Sequence, residues 1–176
     1  MTDFSNDYAG ALYSLAEDLR IEEKVLVQIT EIQKQFSENP DFIKLLDSPA
    51  LTVDERLDSV DAAFGAAEEI VISFIKILTE KRAVHLFGKC AAAFENEYNE
   101  KHNIETVTAE TAIGLTPELS GLLKKRLEEM TGKTVKLYEK VRPELLGGIK
   151  LSFKNKEIDG SILKKLKEIE KAVSAV

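Results

Sequence analysis

Ile104-Glu-Thr-Val-Thr-Ala-Glu-Thr111 is the stretch on which the fold turns. It is rich in β-branched residues and alternates with a period of two, the pattern of a half-buried strand. The chain before it repeats at helical spacing instead. The sixth helical pattern starts near Arg82 and runs to about Lys101, with Phe87, Cys90, Ala91, Phe94 and Tyr98 on one face. Residues 67–80 carry Ile70, Val71, Ile72, Phe74, Ile75, Ile77 and Leu78, apolar on almost every side. Such a helix is either central or covered on a second face by a partner, and it is too short for a bilayer span of about 20 residues. Further back, Thr52-Val-Asp-Glu55 fits a capping box that opens a helix with Val53, Leu57, Val60 and Phe64, with Gly65 as its exit. Asn39-Pro40 reads as an N-cap followed by proline, starting a short helix with Phe42, Leu45 and Leu46. Val25, Ile29, Ile32 and Phe36 form one stripe. Tyr8, Ala11, Leu12, Leu15, Ala16 and Leu19 form another, with Ser5 or Asn6 as its expected cap.

Forward of the strand, Thr116-Pro117-Glu118 opens a helix expected to turn Leu119, Leu122, Leu123, Leu127 and Met130 inward and to stop at Gly132. Residues 133–141 alternate partly as a strand. Pro143 and Gly147-Gly148 mark a turn, and Ile149, Leu151 and Phe153 alternate with polar residues as a further strand. Asp159 is placed to cap a last helix with Ile162, Leu166, Ile169 and Val173. The expected class is therefore mainly α: an N-terminal six-helix bundle over residues 1–105, followed by a small α+β domain of order β-α-β-β-α over 106–176.

Charge follows the same division. The whole chain of 176 residues has 24 Lys/Arg and 31 Asp/Glu, a net of −7. Residues 1–105 hold 10 basic and 21 acidic side chains, net −11, and residues 106–176 hold 14 and 10, net +4. Such asymmetry suits two domains with different partners. Hydrophobic residues at 44% and charged residues at 31% exclude a disordered chain. Cys90 alone excludes a disulfide framework, and the opening Met1-Thr-Asp-Phe-Ser-Asn-Asp7 lacks the basic and apolar regions of a signal peptide. A reduced, cytoplasmic protein is expected.

Candidate chemistry is sparse. Gly132-Lys133-Thr134 resembles the end of a phosphate-binding loop, but the required earlier glycine is Leu127, and the strand and helix come in the wrong order. Gly147-Gly148 fits a turn that needs positive φ. His85 and His102 lie 17 residues apart, without metal-ligand spacing. Cys90 sits on an apolar helix face with no base nearby in sequence, as a packed hydrophobe does. Lys124-Lys125-Arg126 is the densest basic cluster, yet its domain offers only Tyr138 and Phe153 for stacking, so no nucleic-acid partner is expected. No catalytic residue, cofactor site or metal site is expected, which favours a binding or structural role.

The ordered segments resemble one family across nearly the whole chain: the delta subunit of bacterial F-type ATP synthases, counterpart of the mitochondrial oligomycin-sensitivity-conferring protein. Tyr8-Ala-Gly-Ala-Leu-Tyr-Ser-Leu-Ala16 is similar to the family's opening helix. Ser73-Phe-Ile-Lys-Ile-Leu78 with Lys81-Arg82 resembles its fifth helix and basic exit. Thr108-Ala109 through Leu115-Thr116 resembles its strand and the following helix start. Leu146-Gly147-Gly148-Ile149 and Asp159-Gly160-Ser161-Ile162 with Leu166 resemble its glycine turn, strand and last helix. Asp7 departs from the family, where that position is often basic, and Lys150, Lys154 and the hairpin Lys154-Asn155-Lys156 set the second domain apart.

The resemblance implies a non-catalytic stator subunit of the peripheral stalk, at the cytoplasmic side of the bacterial plasma membrane and not itself inserted in it. It implies that the bundle captures the N-terminal helix of an alpha subunit, and that the C-terminal domain meets the b subunits. A helix-in-groove site needs two neighbouring helices with apolar surface left over. Tyr8, Ala11, Leu12 and Leu15, opposed by Phe74, Ile77 and Leu78, are the candidate partner-binding residues, and Gly147, Gly148 and Asp159 the structural ones. The competing reading is a generic two-domain adaptor or regulatory protein with no catalytic site.

Overall fold

The computed structural model describes residues 4–154 and 156–164. The chain forms two compact units, divided between Tyr98 and Asn99. The first contains α1 (Phe4–Leu19), α2 (Glu22–Glu38), α3 (Pro40–Leu46), α4 (Val53–Phe64), α5 (Glu69–Glu80), a 3-10 turn (Val84–Leu86) and the greater part of α6 (Phe87–Lys101). The second contains β1 (Ile104–Thr111), α7 (Pro117–Thr131), β2 (Thr134–Val141), a 3-10 turn (Pro143–Leu145), β3 (Ile149–Ser152) and β4 (Glu157–Asp159). The coarse class expected from the sequence holds: mostly helical, with a small mixed sheet.

Periodicity explains the helical unit. Val25, Ile29, Ile32 and Phe36 of α2 are all buried, and Phe36 meets Phe87 and Phe64 edge-on at 5.1 and 5.5 Å. Each such ring, fully buried, contributes about 1.5–3 kcal/mol of transfer free energy. The capping box at Thr52 forms as read: the Thr52 hydroxyl accepts from Glu55 N–H, and the Glu55 carboxylate accepts from Thr52 N–H at 2.9 Å. Hydrogen bonding to Thr52, its backbone N–H first, holds the Glu55 carboxyl below its ordinary range.

Three helix ends differ from expectation. Ser5 lies inside α1 and is buried, so it is no cap. Asn39 caps α3 without its side chain; that amide donates instead to Gln35 O, at the end of α2. The helix expected from Arg82 begins only at Phe87, because Arg82 takes a left-handed turn (φ 52°) and Asp47 receives the N–H groups of Val84 and His85.

In the second unit the strand order is β2-β1-β3-β4. β1 runs parallel to β2, from Ile104 opposite Thr134 to Thr111 opposite Val141, and antiparallel to β3. The parallel pair requires a crossover, and α7 supplies it. Thr116 caps α7 at one end, and Gly132 (φ 68°) ends it in the left-handed conformation. Leu127 and Leu123 pack with Val107, Ala109, Val135 and Leu151.

Two expectations fail here. Leu119, Leu122 and Met130 are not turned inward but are more than half exposed, because the single sheet face is already covered by Leu123 and Leu127. The chain also forms β4, absent from the β-α-β-β-α order; its three residues are too few to show alternation. Leu166, Ile169 and Val173 lie outside the described residues.

Candidate functional site

α1 packs beside α5, and a groove of about 460 Å³ opens between them. From α1 it is lined by Tyr8, Ala11, Leu12 and Leu15, spaced i, i+3, i+4, i+7. From α5 it is lined by Ile70, Ser73, Phe74 and Ile77, at the same spacing. Each helix therefore presents one continuous two-turn face, about 10 Å long. Asp7 and Glu69 complete the lining.

Each helix carries two apolar faces, and this resolves the excess of apolar residues on α5. The core side of α1 is Ala9, Leu12, Tyr13 and Ala16; the core side of α5 is Val71, Phe74, Ile75 and Leu78. Leu12 and Phe74 belong to both faces. They are 6% exposed and form the floor of the groove. Leu15 and Ile77 are 45% and 41% exposed and form its walls. The Tyr8 ring stacks on Phe4 at 4.1 Å, which fixes its orientation at the groove. Phe74 is anchored from below by Phe87, their centroids 6.1 Å apart.

Tyr8, Ala11, Leu12, Leu15, Phe74 and Ile77 are thus brought together. Leu78 is not: it is fully buried in the core, one residue past the groove face. Ile70 and Ser73 were missed, although both lie at helical spacing from Phe74 and Ile77 and that spacing would have found them.

The sequence model of the ATP synthase delta (OSCP) subunit family matches residues 4–173. The chain belongs to that family. ATP synthase subunit delta of Carboxydothermus hydrogenoformans is 31% identical over 94% of each chain. Subunit delta of Magnetococcus marinus is 30% identical, over 93% of this chain and 92% of its own. Among solved structures, a chain of the Toxoplasma gondii mitochondrial ATP synthase hexamer superposes with a TM-score of 0.79, covering 99% of each chain at 18% identity, and so shares the fold. As a delta (OSCP) family member, the protein is a non-catalytic peripheral-stalk subunit of ATP synthase.

The other singled-out residues of this delta-family chain have structural surroundings. Gly148 adopts φ 78°, and a Cβ there would run into the Gly160 carbonyl oxygen. A Cβ on Gly147 would meet the Ile162 side chain at 2.7 Å. Asp159 ends β4, and its carboxylate accepts from Ser161 N–H at 3.0 Å; hydrogen bonds from Ser161, side chain first, pull its carboxyl below the usual range. The helix-capping role expected of Asp159 falls to Ser161, whose hydroxyl accepts from Lys164 N–H. Cys90 is buried, Gly132 is a helix terminus, and the His85 ring lies 2.8 Å from Asp47. Among the described residues no helix is long and apolar enough to cross a membrane.

Proposed function

We propose that this subunit joins the catalytic head to the stalk through two separate surfaces. Residues 1–105 act as a six-helix bundle whose α1/α5 groove receives the N-terminal helix of an alpha subunit. Residues 106–176 engage the b subunits, on the cytoplasmic side of the bacterial plasma membrane, without entering the bilayer. The matched i, i+3, i+4, i+7 faces of α1 and α5 carry the first part, since an amphipathic helix docks by anchors of that spacing. The outward face of α7, with Leu119, Leu122 and Met130 exposed, supports the second, because apolar side chains grouped on one helix face are a mark of an interaction surface.

Titration of the full chain with a peptide of the alpha subunit's N-terminal segment tests the groove. Wild type is expected to bind at micromolar peptide, and Leu15→Asp or Ile77→Asp to weaken binding at least tenfold at unchanged helicity. No binding by the folded chain, or wild-type affinity in both variants, would overturn the assignment. Phe74→Asp is a poor probe, because Phe74 is also core.

A further inference from the structure

We infer that the α1/α5 groove selects its helix by charge as well as by apolar fit, favouring a partner with cationic side chains beside its apolar stripe. The inference rests on the groove being the capture site proposed above. Its lining contains two carboxylates, Asp7 and Glu69, two hydroxyls, Tyr8 and Ser73, and no cation. Asp7 and Glu69 are exposed, and neither forms an ion pair among the described residues. Two lysines of the same unit are engaged by other carboxylates. Lys76 of α5 is held by Asp61 at 2.6 Å, and Lys24 pairs with Glu68 at 2.5 Å.

Each carboxylate lies in the first turn of its helix, where the backbone dipole attracts negative charge. The dipole keeps the charges in place without cancelling them toward a ligand. Toward the C-terminal ends of α1 and α5 the balance differs: Asp18 and Glu80 are followed closely by Arg20, and by Lys81 and Arg82. Discrimination therefore resides at Asp7 and Glu69. A docked helix covers the apolar walls and brings its flanking side chains to these two carboxylates. Lysines or arginines there gain carboxylate partners as water is displaced, and glutamates meet like charges.

Three designed peptides test this with the full chain. They share one amphipathic helix with leucines at i, i+3, i+4 and i+7, and differ only in flanking residues, which are Lys, Gln or Glu. At low salt the Lys peptide should bind about 3- to 10-fold more tightly than the Gln peptide, and the Glu peptide more weakly by a similar factor, as two solvent-accessible pairs provide. The spread should shrink at high salt. The double variant Asp7→Asn/Glu69→Gln should bind all three alike. Equal binding of the three peptides by wild type overturns the inference and leaves the groove assignment standing. An undiminished Lys preference in the double variant also overturns it, assigning the preference to the general acidity of the unit. Failure of all three peptides to bind the folded chain overturns the groove assignment itself.

Discussion

Replacing Arg56 by Met should destabilise the protein by about 2–3 kcal/mol, and the structure gives the terms. Arg56 is only 1% exposed, yet its guanidinium faces backbone carbonyls rather than a carboxylate. Nη1 donates to Leu46 O, at the end of α3, at 3.0 Å, and to Thr79 O, in the last turn of α5; Nε donates to Thr52 O at 3.4 Å. One side chain of α4 thus ties down carbonyls at the ends of two other helices, and Leu46 O would otherwise be left orphaned. Methionine keeps much of the aliphatic volume and removes all three donors. Thr52 O retains the Arg56 N–H and Thr79 O retains the Arg82 N–H, so the main loss falls on Leu46 O. An abandoned buried acceptor costs about 1–3 kcal/mol, and the lost charge-assisted bond to Thr79 adds roughly 1–2 more. Relief of the buried charge offsets part of this. Urea unfolding of the full chain, followed by far-UV circular dichroism, should show the midpoint falling by about 1–1.5 M for a slope near 2 kcal/mol per M. Arg56→Lys should fall in between, since one ammonium cannot span both carbonyls. An unchanged or raised midpoint for Arg56→Met would refute the reasoning, because burial of the charge would then cost as much as its bonds contribute.

Other outcomes follow from the same contacts. Phe74→Ala should cost about 3–5 kcal/mol in urea unfolding, as a core ring does, whereas Ile77→Ala should stay within about 0.5 kcal/mol. Gly148→Ala should destabilise the sheet unit by more than about 1 kcal/mol, seen as faster amide exchange in β3, because a positive φ and a clash with Gly160 coincide there. The folded-state pKa of Glu55 lies below its ordinary 4.5, so the capping box contributes fully above that value and fades as pH falls through the lower folded value. Thr52→Ala should therefore lower stability at pH 7 and flatten its decline below pH 4.5.

Much of this was legible because helical spacing reports burial directly. Val25 to Phe36 fall on one line and are buried on one line. The groove was legible from α5 for the complementary reason: a single core cannot use apolar residues on both Ile70 and Val71 sides, so a surplus signals a second face. Leu78 escaped that logic, because adjacent faces of one helix differ by a single step, and only packing decides which side Leu78 joins. The outward turn of Leu119 and Leu122 was illegible for a related reason. The leucines of α7 form one face wider than the narrow sheet beneath it, which covers only the Leu123–Leu127 line. Asn39 and Asp159 share one cause. Both are residue types suited to capping, but a short side chain also bonds nearby backbone groups: Asn39 turns back to Gln35 O, and Asp159 accepts from Ser161 N–H two residues ahead.

β1 holds an inner position of its sheet, between β2 and β3, and it begins three residues after the last residue of α6. A pull transmitted through α6 enters the sheet through β1, one of its two inner strands. The bonds on both sides of β1 then share the force, where an edge strand would have bonds on one side only. A subunit that must keep a motor's housing from turning gains from entry at that strand, which two ladders hold rather than one.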